Sequence, residues 1–179
     1  MKPENVIKFW FEELGPDDWF FKPTKKFDAL CRKKFIKIYE AVVRGETAHW
    51  RKTPKGRLAE IIVLDQLSRN IFRGTPGMFR HDALSLALSQ EAVALGIDKQ
   101  FSHWEKVFLY LPFMHSESKK VQRDSIRLFK SLKNKQNTWF ANDHKKIIDK
   151  FGRYPHRNKI LGRKSTPAEL KFMKTHKGY

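Results

Sequence analysis

A chain of 179 residues, 40% hydrophobic and 13% aromatic, is long enough to bury a core and too apolar for disorder despite its 31% charged residues. No apolar run approaches the roughly 18–20 residues of a membrane span, the acid-bearing N-terminus MKPENVIKFWFEELG does not read as a signal peptide, and the lone Cys31 excludes an internal disulfide framework and makes the cytoplasm the expected location. The formal charge of +18 is uneven: residues 1–118 carry 19 Lys/Arg against 15 Asp/Glu, and residues 119–179 carry 18 against 4. Such a block attracts nucleic acid, acidic membrane surfaces or phosphorylated small molecules, and it is also what a lysine-rich solvated surface looks like.

In chain order the pattern is helix after helix. Val6, Phe9, Trp10 and Leu14 recur at three- and four-residue steps and stop at Gly15. The stripe Phe27, Leu30, Cys31, Phe35, Ile38, Tyr39, Val42 runs four turns to Gly45. Thr53-Pro54 reads as N-cap and first residue of a helix through Leu58, Ile61, Ile62 and Phe72. Asp82 is placed to cap Ala83–Leu95, which Gly96 closes. Ser102 with Glu105 forms a capping box ahead of Trp104, Val107, Phe108 and Leu111, a helix that Pro112 is expected to kink or stop. Ser116 or Ser118 begins a helix packing Val121, Leu128, Phe129 and Leu132. The next holds Trp139, Phe140, Ile147, Ile148 and Phe151 and ends at Gly152. Thr166-Pro167-Ala168-Glu169 is a second capping box, leading Leu170 to Met173. With no sustained alternation and no hairpin dipeptide, the fold class is all-α. One domain over residues 1–179 is expected, of seven to nine helices joined by short connections into antiparallel pairs.

Polar residues fall where core is expected. Asp65 and Arg69 share the inward face of the helix after Thr53, four apart and able to pair, and Arg73 continues the row beside Asn70. An inward charge costs several kcal/mol unless paired, so these groups serve either a register-fixing ion pair or a ligand. His115-Ser116-Glu117 follows the proline break; an imidazole near a carboxylate is equipped for acid–base work, and an ordinary helix-to-helix turn explains the same residues. His144 lies on the stripe Phe140, Ile147, Phe151, where a satisfied core histidine is the plainer reading. The densest run is Arg153, Tyr154, His156, Arg157 and Asn158, followed by Arg163. Its guanidiniums suit a carboxylate or phosphate, the Thr166 helix start adds N–H donors, and capping of neighbouring helices competes with both. The scattered histidines and single cysteine give no metal-binding spacing, and no glycine-rich phosphate loop or dinucleotide fingerprint calls for a cofactor.

Three long stretches, Leu64-Asp65-Gln66-Leu67-Ser68-Arg69-Asn70-Ile71-Phe72-Arg73-Gly74, Tyr110-Leu111-Pro112-Phe113-Met114-His115-Ser116-Glu117 and Phe151-Gly152-Arg153-Tyr154-Pro155-His156-Arg157-Asn158, occur in this order. With Phe9-Trp10-Phe11, Trp19-Phe20 and Phe27-Asp28 before them, the chain from about residue 5 to 173 resembles the DUF924 family, a domain of unknown function widespread in bacteria and found in some eukaryotes. The resemblance implies a tetratricopeptide-like helical fold and transfers no activity. Two function classes follow from the residues. One is a pocket protein that binds an anionic small molecule through Arg69, Asn70, Arg73, Arg153, His156, Arg157 and Asn158, with His115, Glu117 and Asp65 as its acid–base groups. The other is a non-catalytic helical module presenting its basic C-terminal third, Trp139 and Tyr154 included, to nucleic acid without sequence preference or to an acidic protein.

Overall fold

The computed structural model describes residues 2–20, 24–176 and 178, with the Phe20 side chain left out. Among these residues every regular element is helical, and two compact units form. The first comprises Met1–Arg73 and Gly77–Pro112, the second Gly74–Pro76 and Phe113–Tyr179.

In the first unit, α1 (Pro3–Lys8) runs straight into a π turn at Phe9–Glu13. It is followed by α2 (Pro16–Phe20) and by α3 (Lys25–Val43), which Thr24 caps at its N-terminus. α4 (Pro54–Ile62) starts as Thr53-Pro54 predicts, the threonine hydroxyl accepting the Gly56 N–H. Gly56 is required there: a Cβ would lie 2.0 Å from the Trp50 carbonyl oxygen of the preceding 3-10 turn. The expected single helix to Phe72 is interrupted by a second π turn, Val63–Leu67, before α5 (Ser68–Ile71). Counted as continuous through their π turns, α1 and α4–α5 bring the described residues to nine helices. α6 (Asp82–Ala94) and most of α7 (His103–His115) complete the unit. α1 packs on α4, α3 on α5, and α4 on α6. Phe108 anchors an aromatic cluster, its ring 5.5 Å from Trp10, 5.6 Å from Phe11 and 5.0 Å from Trp19.

Pro112 neither stops nor ends α7, contrary to the sequence expectation. A proline forfeits one i−4 hydrogen bond, but Val107 to Met114 are buried without interruption, and that packing holds the helical path to His115.

The second unit is led by α8 (Lys119–Ser131) and α9 (Lys135–Phe151), packed on each other and capped by Ser118 and Asn134. Gly152 ends α9 at φ 70, the left-handed conformation glycine takes freely. A 3-10 turn at Pro155–Arg157 and α10 (Pro167–Met173) follow, with the Thr166–Glu169 capping box formed as read from the sequence. The inward stripe of α9 is Ala141, His144, Ile147 and Ile148, and Tyr154 packs with the two isoleucines. Trp139 does not belong to that stripe. Two residues before Ala141 places it about 160° round the helix, and it is 58% exposed.

Candidate functional site

The first unit holds Asp65, Arg69, Asn70 and Arg73. Asp65 sits in the π turn, wholly buried, with Arg69 Nη2 3.5 Å from its Oδ1. Arg69 also donates to the Asp65 carbonyl oxygen and bridges to Asp82, Nη1 to Oδ1 at 3.2 Å. Burial opposes the guanidinium charge, and the two carboxylates overcome it, raising the Arg69 pKa. Asp82 is therefore the first residue of α6 with its carboxylate turned to Arg69, not the cap expected of it; His81 occupies the cap position. Arg73 leaves the row as well, donating Nε at 2.5 Å and Nη2 at 3.0 Å to Asp28 on α3, which also accepts Asn70 Nδ2 at 2.9 Å. A π turn has a wider repeat than an α turn, and here one side of the helix feeds two separate carboxylate partners. Cys31 lies in the same surroundings; burial, then Asp28, pushes its thiol up to about 12.

The second unit holds the remaining sequence-predicted residues and ties most of them together. Glu117, in the turn after α7, accepts the Tyr154 N–H at 2.8 Å and a two-point contact from Arg163, Nη1 at 2.7 Å and Nη2 at 2.9 Å. Burial would raise the Glu117 pKa, but Arg163 and the Tyr154 amide outweigh it and hold the carboxyl below its ordinary range. Arg163 further donates Nε to Asn158 Oδ1 at 2.9 Å, and Asn158 Nδ2 donates to Ser165 Oγ at 3.1 Å. Arg153 makes its own two-point pair with Glu169, at 2.7 and 2.9 Å, which holds that carboxyl down to about 2. The start of α10 is thus filled by Thr166 and Glu169 side chains.

Tyr154 is the hub. Fully buried, it donates its phenol to the Met114 carbonyl at 2.5 Å and accepts from Gln122 Nε2 at 2.9 Å. Its ring lies 5.7 Å from His144 and 5.5 Å from His156, and His144 lies 6.4 Å from His115. The Arg157 guanidinium, on a residue 7% exposed, sits 4.8 Å over the Tyr154 ring and donates Nη2 to the His115 carbonyl at 3.0 Å. His144 Nδ1 is 2.8 Å from the Phe140 carbonyl, which can only accept, so the neutral ring carries its proton on Nδ1. Burial, then His115, lowers its pKa to about 3; burial, then Arg157 and His176, lowers that of His156 to about 4. Both rings are neutral at pH 7.

Gln122 and Arg163 escaped the sequence reading as site residues. The signal for Gln122 was present: with Ser125 and Phe129 it forms an i, i+3, i+7 series, and all three are buried. Tyr154, read as a stacking surface, is core. Among the described residues no helix is long and apolar enough to cross a membrane, and no three His, Cys, Asp or Glu are grouped to hold a metal ion.

The model of DUF924, a bacterial protein family of unknown function, matches residues 6–177. The chain belongs to the DUF924 family. It is similar to a solved structure of a protein of unknown function from Agrobacterium tumefaciens, with 34% identity and a TM-score of 0.91 over 97% of each chain. No curated protein matches it. This DUF924 chain keeps the family resemblance in the long stretches that supply Asp65 to Arg73, His115 to Glu117 and Arg153 to Asn158.

Proposed function

We propose that the second unit binds a small molecule bearing a carboxylate or phosphate group where the end of α7 meets the Tyr154–Asn158 turn. The observation that carries this reading is the setting of Arg157: a buried cation on the Tyr154 ring, bonded to the His115 backbone and next in sequence to an imidazole held neutral. Charge of that sign in a desolvated site favours an anion, and a guanidinium offers it two parallel donors. An anion docked beside Arg157 offsets the positive field on His156, raises its pKa and turns it from proton acceptor to proton donor. His115 supplies a second imidazole. Glu117, Arg163 and Asn158 act by position, fixing the turn through hydrogen bonds of 2.7–3.1 Å, and Arg153 does the same through Glu169.

The test is a histidine NMR titration with inorganic phosphate and with a small dicarboxylate such as succinate. Either anion is expected to move the His156 pKa upward toward 6.5 in the wild type, and Arg157→Ala is expected to abolish the anion effect while itself raising that pKa. Unchanged anion binding in a folded Arg157→Ala protein overturns the proposal.

A further inference from the structure

The same unit carries a surface feature independent of the Arg157 site. Residues 119–151, the span of α8, α9 and their turn, hold ten Lys/Arg against three Asp. Two grooves open there. One, of about 440 Å³, is lined by Lys133, Lys135 and Trp139; the other, of about 350 Å³, by Arg123, Lys145 and Lys146. Asn142 lines both, so they adjoin. Lys145 is paired with Asp149, which leaves the basic character to the other four cations.

Trp139 is the informative residue. Among the described residues the exposed large hydrophobics are four leucines and this tryptophan. Leaving an indole in water forgoes roughly 1.5–3 kcal/mol of burial, and the periodicity of α9 directs Trp139 away from the core. Its ring is braced edge-on by Phe140, with centroids 5.0 Å apart. At the head of the same groove Lys133 takes a left-handed φ of 53, uncommon for a residue with a Cβ.

We propose that this groove binds single-stranded nucleic acid, with one unpaired base stacked on Trp139 and backbone phosphates against Lys133, Lys135, Arg123 and Lys146. Lys135 and Lys146 are eleven residues apart on one helix, about 16 Å of rise, a length that seats a few nucleotides. A base–aromatic stack flanked by lysines is the sequence-tolerant mode of single-strand recognition. A duplex keeps its base faces stacked on one another and has none to offer Trp139. A bilayer surface favours several apolar side chains along one solvent-facing stripe, whereas the exposed face of α8 and α9 supplies Trp139 among lysines and arginines.

The full chain is titrated against a fluorescein-labelled oligothymidylate of about twenty nucleotides by fluorescence anisotropy at low and moderate salt. Wild-type protein is expected to bind, and Trp139→Ala, checked for helicity by circular dichroism, to weaken binding about 10-fold. Lys146→Gln is expected to flatten the salt dependence by about 0.7 in logarithmic slope, and Arg157→Ala to change nothing, which separates this groove from the anion site. A blunt duplex of equal length is expected to bind more weakly and to ignore Trp139→Ala. Three outcomes overturn the proposal: single-strand binding untouched by Trp139→Ala, duplex binding as tight as single-strand binding, or capture by phosphatidylserine vesicles with no binding of the oligonucleotide.

Discussion

The two units set arginine into their interiors in different company. In the first, each inward guanidinium meets carboxylate: Arg69 has Asp65 and Asp82, and Arg73 has Asp28. In the second, Arg163 and Arg153 are matched by Glu117 and Glu169, but Arg157 is seated on a phenol ring beside imidazoles. Carboxylate neighbours make arginine a brace, because the charges cancel and the geometry locks. Imidazole neighbours leave a positive field and two rings whose protonation answers to it.

The comparison breaks first at Asp65. Replacing this wholly buried carboxylate with alanine strips Arg69 of its i−4 partner and is expected to cost about 3–5 kcal/mol in urea unfolding; a loss below about 1 kcal/mol would mean that Asp82 alone braces Arg69. Next comes acid. His144 and His156 have folded pKa values depressed to about 3 and about 4, so below 6.5 the unfolded chain binds protons the folded chain refuses. Stability is therefore full above pH 6.5 and falls as pH drops toward these values, His144 alone accounting for about 3 kcal/mol by pH 4. Urea midpoints across that range check it, and His144→Gln should flatten the slope whatever it does to stability at neutral pH. Glu117→Gln keeps the shape and loses the charge facing Arg163, an expected loss of about 2 kcal/mol by thermal unfolding. Thr166→Ala, which removes one half of a capping box, should cost about 1 kcal/mol.

Much of this architecture was readable in the sequence because it is written in short-range chemistry. Thr53-Pro54, Thr166 to Glu169, Gly96 and Gly152 mark helix ends through contacts within a few residues, and each does what its residue type predicts. The Asp65–Arg69 pair was legible for the same reason, being one helical turn long. What depended on distant packing was not. Asp28 as partner of Asn70 and Arg73, 42 and 45 residues away, leaves no local trace. Pro112 was read by its intrinsic cost, which the buried residues around it override. Trp139 and Tyr154 exchanged roles: the first was read as core and is exposed, the second as a stacking surface and is 0% exposed. A tryptophan beside Phe140 resembles core on composition alone, and the helical angle from Ala141 decides otherwise.

The π turn at Val63–Leu67 has a bearing on how this chain tolerates length changes. It stores, in effect, one surplus residue inside a helix otherwise in α register. Deleting a single residue there would let the segment relax into ordinary α-helix, swinging everything after it by about 100° and carrying Arg69 and Arg73 off both of their acidic anchors. A deletion that looks harmless in an alignment of lengths would then uncouple α5 from α3 and α6 together.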